Sequence, residues 1–460
     1  MSRQRTLLLR NLYELRKTTP LSPRNASGRV VVVEGKLGLC DSSGCLFPVS
    51  FSRCEIAPNA GDVVQFSSRF VKPNGGAVSK YEDTGYLLEV LHVSDRVESV
   101  GYWPAHCIPN PMPKIELLLP LAGLNDTTYI KTETTVRWNK LKSRNLGLAR
   151  IRGFFENRGF LFMETPTIVP SGGVENYLNF FKTSYQDHRG KCWNLQLPTS
   201  PEFALKKLLT EGPDKIFQIA KAFRNNGEIG PWHEPEFLML EWYRSQGILN
   251  QICQDTKALV HSLADLLQSR VALPEIWPTF RVEDLFKTCV DLNLQQLQNE
   301  ADFRKAASEH SISIVESDDW DSIFCKLFME KIEPYLKEQK ACFVTHFPIQ
   351  MGALAKKEKG LPFVERFEAY LMGIEICNGY QELTDSADLE NRFSLISARK
   401  SNVVRDEIFE KYMKFGLPTC AGNAFGVDRV IAILLGETSI SESLPISFLS
   451  QFCDKTVAHE

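Results

Sequence analysis

The segment Phe237–Arg244 sets a carboxylate in the middle of a strand that is otherwise apolar on both faces. With the period of two of an extended chain, one face carries Phe237, Met239, Glu241 and Tyr243, and the other Leu238, Leu240 and Trp242. A charge at Glu241 is costly there unless a cation meets it. The preceding strand, Ile216–Arg224, presents Gln218, Ala220, Ala222 and Arg224 on one face and Phe217, Ile219 and Phe223 on the other. Small residues leading to an arginine leave room above the sheet for something planar or anionic. Either an internal Arg224–Glu241 ion pair or a bound cation answers the charge at Glu241. The loop between these strands, 225–234, is long and glycine-rich for a hairpin, which suits mobile decoration or a ligand cover. His233 at its return is a solvated histidine or a phosphate contact.

Two further segments carry chemistry. In Glu365–Asp385, Gly373 suits a hairpin turn that places Glu368 opposite Glu375. Facing like charges repel on a sheet, and a divalent cation held through phosphates would resolve the conflict; a solvated acidic edge is the plainer alternative. Glu375 and Asn378 have opposite strand parity, so a bulge near Gly379 is expected to aim both inward. In Cys420–Arg429, glycines permit close backbone approach, and Arg429 falls in the first turn of an apolar helix running to Leu435.

The surrounding chain reads as an α+β domain over 136–460. A helix ends at Gly159, and a strand is expected over Phe160–Ile168. Further strands are expected at 192–198, 216–224, 235–244, 342–347, 365–371 and 374–383, with a mostly helical stretch at 248–340. Upstream, 29–98 alternates short β-prone runs with turns, which fits an OB-like β-barrel or another small β-sandwich. Residues 99–135 are a proline-rich linker. Residues 1–28 carry Arg3, Arg5, Arg10, Arg16, Lys17 and Arg24 against Glu14, the pattern of a basic amphipathic helix or of a transit peptide.

Composition narrows the classes. Lys+Arg 53 against Asp+Glu 56 gives a net charge of -3, so no general basic field invites nucleic acid. No apolar run approaches the ~20 residues of a membrane-spanning helix. The 12 cysteines include no CxxC pair, which argues against a structural zinc site or a disulfide framework and for a cytoplasmic protein.

Gly159–Pro166, Phe223–Asn226 and Gly426–Arg429 together resemble motifs 1, 2 and 3 of class II aminoacyl-tRNA synthetases. His233–Arg244, Asn378–Asp385 and Phe347–Lys356 are similar to the lysyl branch. Thr199-Ser-Pro-Glu202, Leu240–Arg244 and Ala424, where lysyl-tRNA synthetases keep glycine, resemble most the lysyl-synthetase-like ligases that attach (R)-β-lysine to elongation factor P. The resemblance implies an antiparallel sheet with flanking helices, ATP and Mg²⁺, a lysine or (R)-β-lysine substrate, elongation factor P as acceptor, and a homodimer through motif 1. It implies that Arg224 holds the substrate carboxylate and α-phosphate, that Phe237 and Arg429 sandwich adenine, and that His233 reaches the terminal phosphate. Asn226 takes the ATP-side position where the family has an acid, and Glu234 replaces the asparagine of the family's His-Asn-Pro-Glu-Phe. Glu368 and Glu375 would carry the metal. Ser200 would line the amino-acid pocket with Glu202 and Glu241, which take the reacting-end ammonium. Tyr243 and Glu382 would hold the distal ammonium, with Tyr380 along the stem, Asn378 at the carboxylate and Ala424 shaping the floor. The barrel keeps a tRNA-charging lysyl-tRNA synthetase in view, and Asn226 a non-catalytic tRNA- or protein-binding paralogue.

Overall fold

A computed structural model describes the backbone of residues 24–33, 36–40, 46–50, 63–71 and 87–97. It also describes 133–451, apart from 174–178, 228–229, 311, 353 and 400–403. The chain divides into two compact units, Met1–Lys142 with Leu449–Glu460, and Ser143–Phe448. In the first, β1 (Arg24–Val33), β2 (Lys36–Cys40), β3 (Leu46–Ser50), β4 (Val63–Val71) and β5 (Leu87–Val97) close in the order β1-β2-β3-β5-β4. Residues 24–28, expected to end a helix, are instead strand, because they pair with Val64–Ser68. The rest of the expected basic helix lies outside the described residues. So does the expected linker, apart from its last three residues, which open α1 (Glu133–Glu156).

In the second unit, α1 ends as expected near Gly159, whose φ of 77° is the left-handed closure that glycine adopts freely. The strand expected over Phe160–Ile168 shortens to β6 (Leu161–Phe162). Pro166 and Pro170 cannot donate to a ladder, and the chain leaves the sheet there. A hairpin of β7 (Phe181–Gln186) and β8 (Cys192–Leu197) follows, then α2 (Glu202–Leu209), β9 (Lys215–Phe223), β10 (Glu236–Ser245) and α3 (Leu249–Leu267). After β11 (Thr279–Arg281) comes a helical insertion, α4 (Val282–Val290), α5 (Glu300–Ser308), α6 (Trp320–Leu327) and α7 (Glu333–Glu338). The chain returns through β12 (Ala341–Pro348), β13 (Phe363–Leu371) and β14 (Ile374–Gln381). It then forms α8 (Ser386–Arg399), α9 (Glu407–Gly416), β15 (Cys420–Gly426) and α10 (Val427–Leu435).

Eight strands form one sheet in the order β11-β12-β13-β14-β15-β10-β9-β6. Its centre is antiparallel, but β6 runs parallel to β9 and β11 parallel to β12, so the sheet is mixed rather than wholly antiparallel. Both parallel pairs follow long crossovers, one carrying β7, β8 and α2 and the other the helical insertion, and parallel neighbours require such connections. Alternation then assigns the faces. Phe217, Leu240, Trp242, Phe367, Ala369 and Phe425 point into a core shared with Ile151 and Phe155 of α1, Leu259 and Leu263 of α3, and Ile431 and Leu434 of α10. Burying such side chains contributes roughly 1.5–3 kcal/mol each. The opposite face is left to the functional site.

Candidate active site

Above that second face lies a cavity of about 910 Å³. Every candidate residue lines it: Ser200 and Glu202; Arg224, Asn226, His233 and Phe237; Glu241 and Tyr243; Glu368, Glu375, Asn378, Tyr380 and Glu382; and Ala424 and Arg429. Strand register explains the convergence. Gln218, Glu241, Ala424, Asn378 and Glu368 stand opposite one another in a single row across β9, β10, β15, β14 and β13. A second row places Tyr243, Gly422, Tyr380 and Arg366 together. Strands lie about 4.8 Å apart, so the first row carries Glu241 and Glu368 roughly 14 Å from each other.

The same register rules out a direct Arg224–Glu241 pair along the hairpin. Arg224 bonds through its N–H to Pro235 O, six positions from Glu241, or roughly 20 Å of strand. Arg224 instead sets its guanidinium 5.1 Å from the centre of the Phe237 ring. Asn226 has φ 56°, a left-handed conformation that asparagine tolerates better than most side chains.

Two expectations about the Gly373 hairpin change. Glu375 stands opposite Tyr370, and Glu368 opposite Asn378, so the two glutamates do not face each other directly. The bulge falls at Ile376 rather than near Gly379, where the register slips between Ala369 and Tyr370. Its effect is the one anticipated: the extra residue reverses parity, and both Glu375 and Asn378 reach the cavity. Gly379 has another duty, since a Cβ there would lie 2.2 Å from the Phe367 ring.

The β10 end of the cavity holds an acidic cluster in which Glu241 and Glu382 are buried and Glu202 is half-buried. Lys206 Nζ lies 2.6 Å from Glu202 Oε1 and 2.5 Å from Glu382 Oε2, and the lysine is only 2% exposed. Burial alone would lower the ammonium's pKa, but Glu202 and Glu382 outweigh it and hold it above the ordinary lysine range. Glu382 is pushed up to about 7 by burial, with Lys206 opposing and Glu202 adding. Its buried Oε2 meets Lys206 as an ion pair but accepts no well-directed hydrogen bond. Glu241, 1% exposed, takes a 3.2 Å hydrogen bond from the Tyr243 hydroxyl, and burial followed by Glu202 raises its pKa well above the usual range. Among the described residues Lys206 is thus the one cation at these three carboxylates, paired with two of them and acting on Glu241 from further off.

At the other end, Glu368 accepts from Arg366 Nη2 at 2.5 Å and from the Tyr370 hydroxyl at 2.6 Å. Burial pushes its pKa up to about 7; Arg366 opposes the rise and Glu375 adds to it. Arg429 donates to Trp232 O at 3.0 Å and Glu375 O at 2.8 Å, and its Nη1 lies 3.6 Å from Glu375 Oε2. Asp428 anchors this region, accepting from Arg144 at 2.5 Å and from the Leu238 N–H at 2.8 Å. Glu234 accepts from the Phe448 N–H at 3.0 Å, and burial raises its pKa, with that bond opposing and Asp428 adding. Among the described residues no cluster of three or more histidines, cysteines or acids forms a metal cage.

Sequence reasoning missed Lys206, Gly422, Arg366 and Asp428. Lys206 follows Glu202 by four residues, a spacing visible in the sequence but ordinary on solvated helices. Gly422 has no such signal: a Cβ there would lie 2.3 Å from the Tyr243 ring, a contact created only by the β10–β15 register.

This arrangement, a mixed sheet with a hairpin-borne arginine, a paired-carboxylate hairpin and an arginine opening a C-terminal helix, defines a class II synthetase-type catalytic domain. Residues 124–447 match the family of class II tRNA synthetases (D, K and N), and the chain belongs to that family. Curated relatives narrow the likeness. An elongation factor P–(R)-β-lysine ligase of Hamiltonella defensa is 34% identical over 314 residues, 66% of this chain and 93% of the relative. The ligase of that name from Haemophilus influenzae is 33% identical over 66% of this chain and 93% of its own. The one from Pectobacterium carotovorum is 33% identical over 70% and 99%.

Proposed function

We propose that the protein is an ATP-dependent, AMP-forming ligase that activates lysine or (R)-β-lysine and transfers it to a lysine side chain of elongation factor P. The observation that carries this reading is the acidic set of buried Glu241 and Glu382 with half-buried Glu202, in which Lys206, paired with Glu202 and Glu382, is the one fixed cation among the described residues. Such a set favours a ligand with two ammonium groups, because unpaired buried carboxylates are costly.

In the first step the substrate carboxylate attacks the α-phosphorus of ATP. An O–P bond forms, the bond to the β-phosphate oxygen breaks, and pyrophosphate leaves. Arg224 holds the carboxylate and the α-phosphate and stabilises the charge that builds there. Phe237 and Arg429 hold adenine, His233 approaches the terminal phosphate, and Asn226 keeps the loop beside it. Glu202 and Glu241 take the reacting-end ammonium; Tyr243 and Glu382 take the distal one. Tyr380 walls the stem, Asn378 meets the carboxylate, and Ser200 and Ala424 complete the pocket. In the second step a neutral acceptor lysine amine attacks the adenylate's carbonyl carbon; the C–N bond of an amide forms, the C–O bond to AMP breaks, AMP leaves with the electron pair, and the amine's proton passes to solvent.

Glu368 and Glu375 fit a Mg²⁺ that arrives with nucleotide. Glu368 keeps lone pairs beyond the two hydrogen bonds it accepts, Glu375 raises its proton affinity, and Mg²⁺ is commonly held by one or two carboxylates plus phosphates. Bound there, the ion would neutralise charge on the phosphates.

The exposed Leu146, Leu161 and Ile168 around motif 1 support a homodimer, and ATP and a translation factor as substrates support a cytoplasmic location. Among the described residues, no helix is long and apolar enough to cross a membrane. The closed five-strand arrangement of β1–β5 supports an OB-type barrel. It also favours a second reading, a lysyl-tRNA synthetase, since the matches to the ligases leave about a third of this chain uncovered. Incubation with ATP and labelled lysine or (R)-β-lysine, plus either elongation factor P or tRNA, decides between them. Label on the protein supports the ligase; label on tRNA alone overturns it. Absence of pyrophosphate exchange with either amino acid leaves a binding protein.

A further inference from the structure

We propose that Lys206 is a positioning residue that sets substrate specificity. Its ammonium joins Glu202 and Glu382 into one rigid acidic wall and leaves the cavity two positive charges short, so that a diamino acid is accepted and a monoamino acid of the same length is refused.

The geometry carries this. Lys206 does not line the cavity; it lies behind the wall, on the α2 turn after Glu202, and reaches Glu382 beyond the end of β14. Its two contacts, 2.6 and 2.5 Å, place those carboxylate oxygens within about 5 Å of each other, a spacing that unscreened like charges would not keep. Glu241 lies on β10, with β15 between it and β14, its carboxylate bonded by the Tyr243 hydroxyl. With all three glutamates ionised and Lys206 protonated, the wall carries -2, which a diammonium ligand neutralises. A ligand lacking the distal amine leaves one charge buried and unmatched.

The groups facing the cluster are Glu202 and Lys206 from α2, Glu241 and Tyr243 from β10, Glu382 after β14 and Cys420 from β15. Lys206 is the cation among them, and it opposes the rise that burial causes in both Glu241 and Glu382. Without it, the wall would hold protons that a diamino acid must displace.

This inference rests on the diamino-acid reading above, and one experiment separates the two. Pyrophosphate exchange is measured from pH 6 to 9 with lysine, (R)-β-lysine and norleucine, for the unsubstituted protein, Lys206→Met, Lys206→Arg and Lys206→Met/Glu382→Gln. In Lys206→Met, the pH at which kcat/KM for the diamino acid levels off should rise by about one unit or more, a tenfold change in proton affinity. The preference over norleucine should fall about tenfold, chiefly in KM. Lys206→Arg should keep the unsubstituted profile. The double variant, which removes one charge of each sign, should bring the pH of levelling-off back toward the unsubstituted value, over the shallower climb that loss of Glu382 gives. A Lys206→Met protein that loses activity or melting temperature with an unmoved profile and preference has lost only a structural contact, and that overturns the proposal. If that variant does not fold, a double variant with an upward-shifted profile overturns it instead. Absence of exchange with any diamino acid in the unsubstituted protein overturns the diamino-acid reading and this inference together.

Discussion

At the β10 end of the cavity three glutamates share one lysine; at the β13 end each of two glutamates has an arginine. Arg366 meets Glu368 at 2.5 Å and Arg429 meets Glu375 at 3.6 Å, whereas among the described residues Lys206 is the only cation near Glu202, Glu241 and Glu382. The first end is short of cations. The second is locally balanced, with Arg224 and His233 further along the same cavity. One end therefore favours a ligand that brings ammonium groups, and the other a polyanion accompanied by its own metal. On the proposed function, this asymmetry would orient an amino acid against a nucleotide, since a reversed amino acid would bring its carboxylate to the acidic wall.

The balanced end should be the more sensitive to loss of a charge. Glu375→Gln keeps the shape and removes one of the two acids; pyrophosphate exchange should drop about a hundredfold or more while the melting temperature holds. Exchange at the original rate would break the assignment of that end to metal and phosphates.

At the acidic end, Gly422→Ala drives a methyl group into the Tyr243 ring, where a Cβ would lie 2.3 Å from its carbons. Overpacking of this kind costs about 1–3 kcal/mol, or roughly 5- to 150-fold. It should raise KM for the amino acid and leave KM for ATP unchanged. An equal rise in both would show that the two ends are not separable.

The pH dependence sharpens the contrast further. Glu382 is raised to about 7 by burial, with Lys206 opposing, and only its ionised form holds an ammonium. Below about 7 it is protonated, so kcat/KM for a diamino acid should climb as pH passes through that value and flatten above it. Glu382→Gln should make the climb shallower, by up to about tenfold per pH unit, with Glu241 left to supply the remainder. A profile equally steep without Glu382 would assign the titration elsewhere.

The smallest effect is expected in the middle of the row. Ala424 stands between Glu241 and Asn378. Ala424→Gly removes one methyl from the floor and should raise kcat/KM for α-lysine relative to (R)-β-lysine. About 1–3 kcal/mol is the most that one such group discriminates. An unchanged ratio would leave the alanine without a part in choosing the isomer.

The amino-acid sequence by itself determined the alternation of the strands, and with it the face each side chain takes. Period-two patterning in 216–223 and 236–245 is local, and burial of Leu240 and Trp242 fixes which face Glu241 must occupy. It also carried the glycine and arginine spacings from which the family resemblance was read, and every candidate residue chosen that way lines one cavity. The tertiary structure alone decided which residues of different strands stand opposite one another. Register of β10 on β15 depends on a pairing between segments well over a hundred residues apart, that of β15 on β14 on a return across two helices, and that of β14 on β13 on a bulge that fell at Ile376. No local pattern encodes that count. Lys206 shows the same division in one residue. Its spacing from Glu202 is local and readable, but its burial depends on Glu382, brought to it from the far side of the fold, and contact at that separation is a property of packing rather than of sequence neighbourhood.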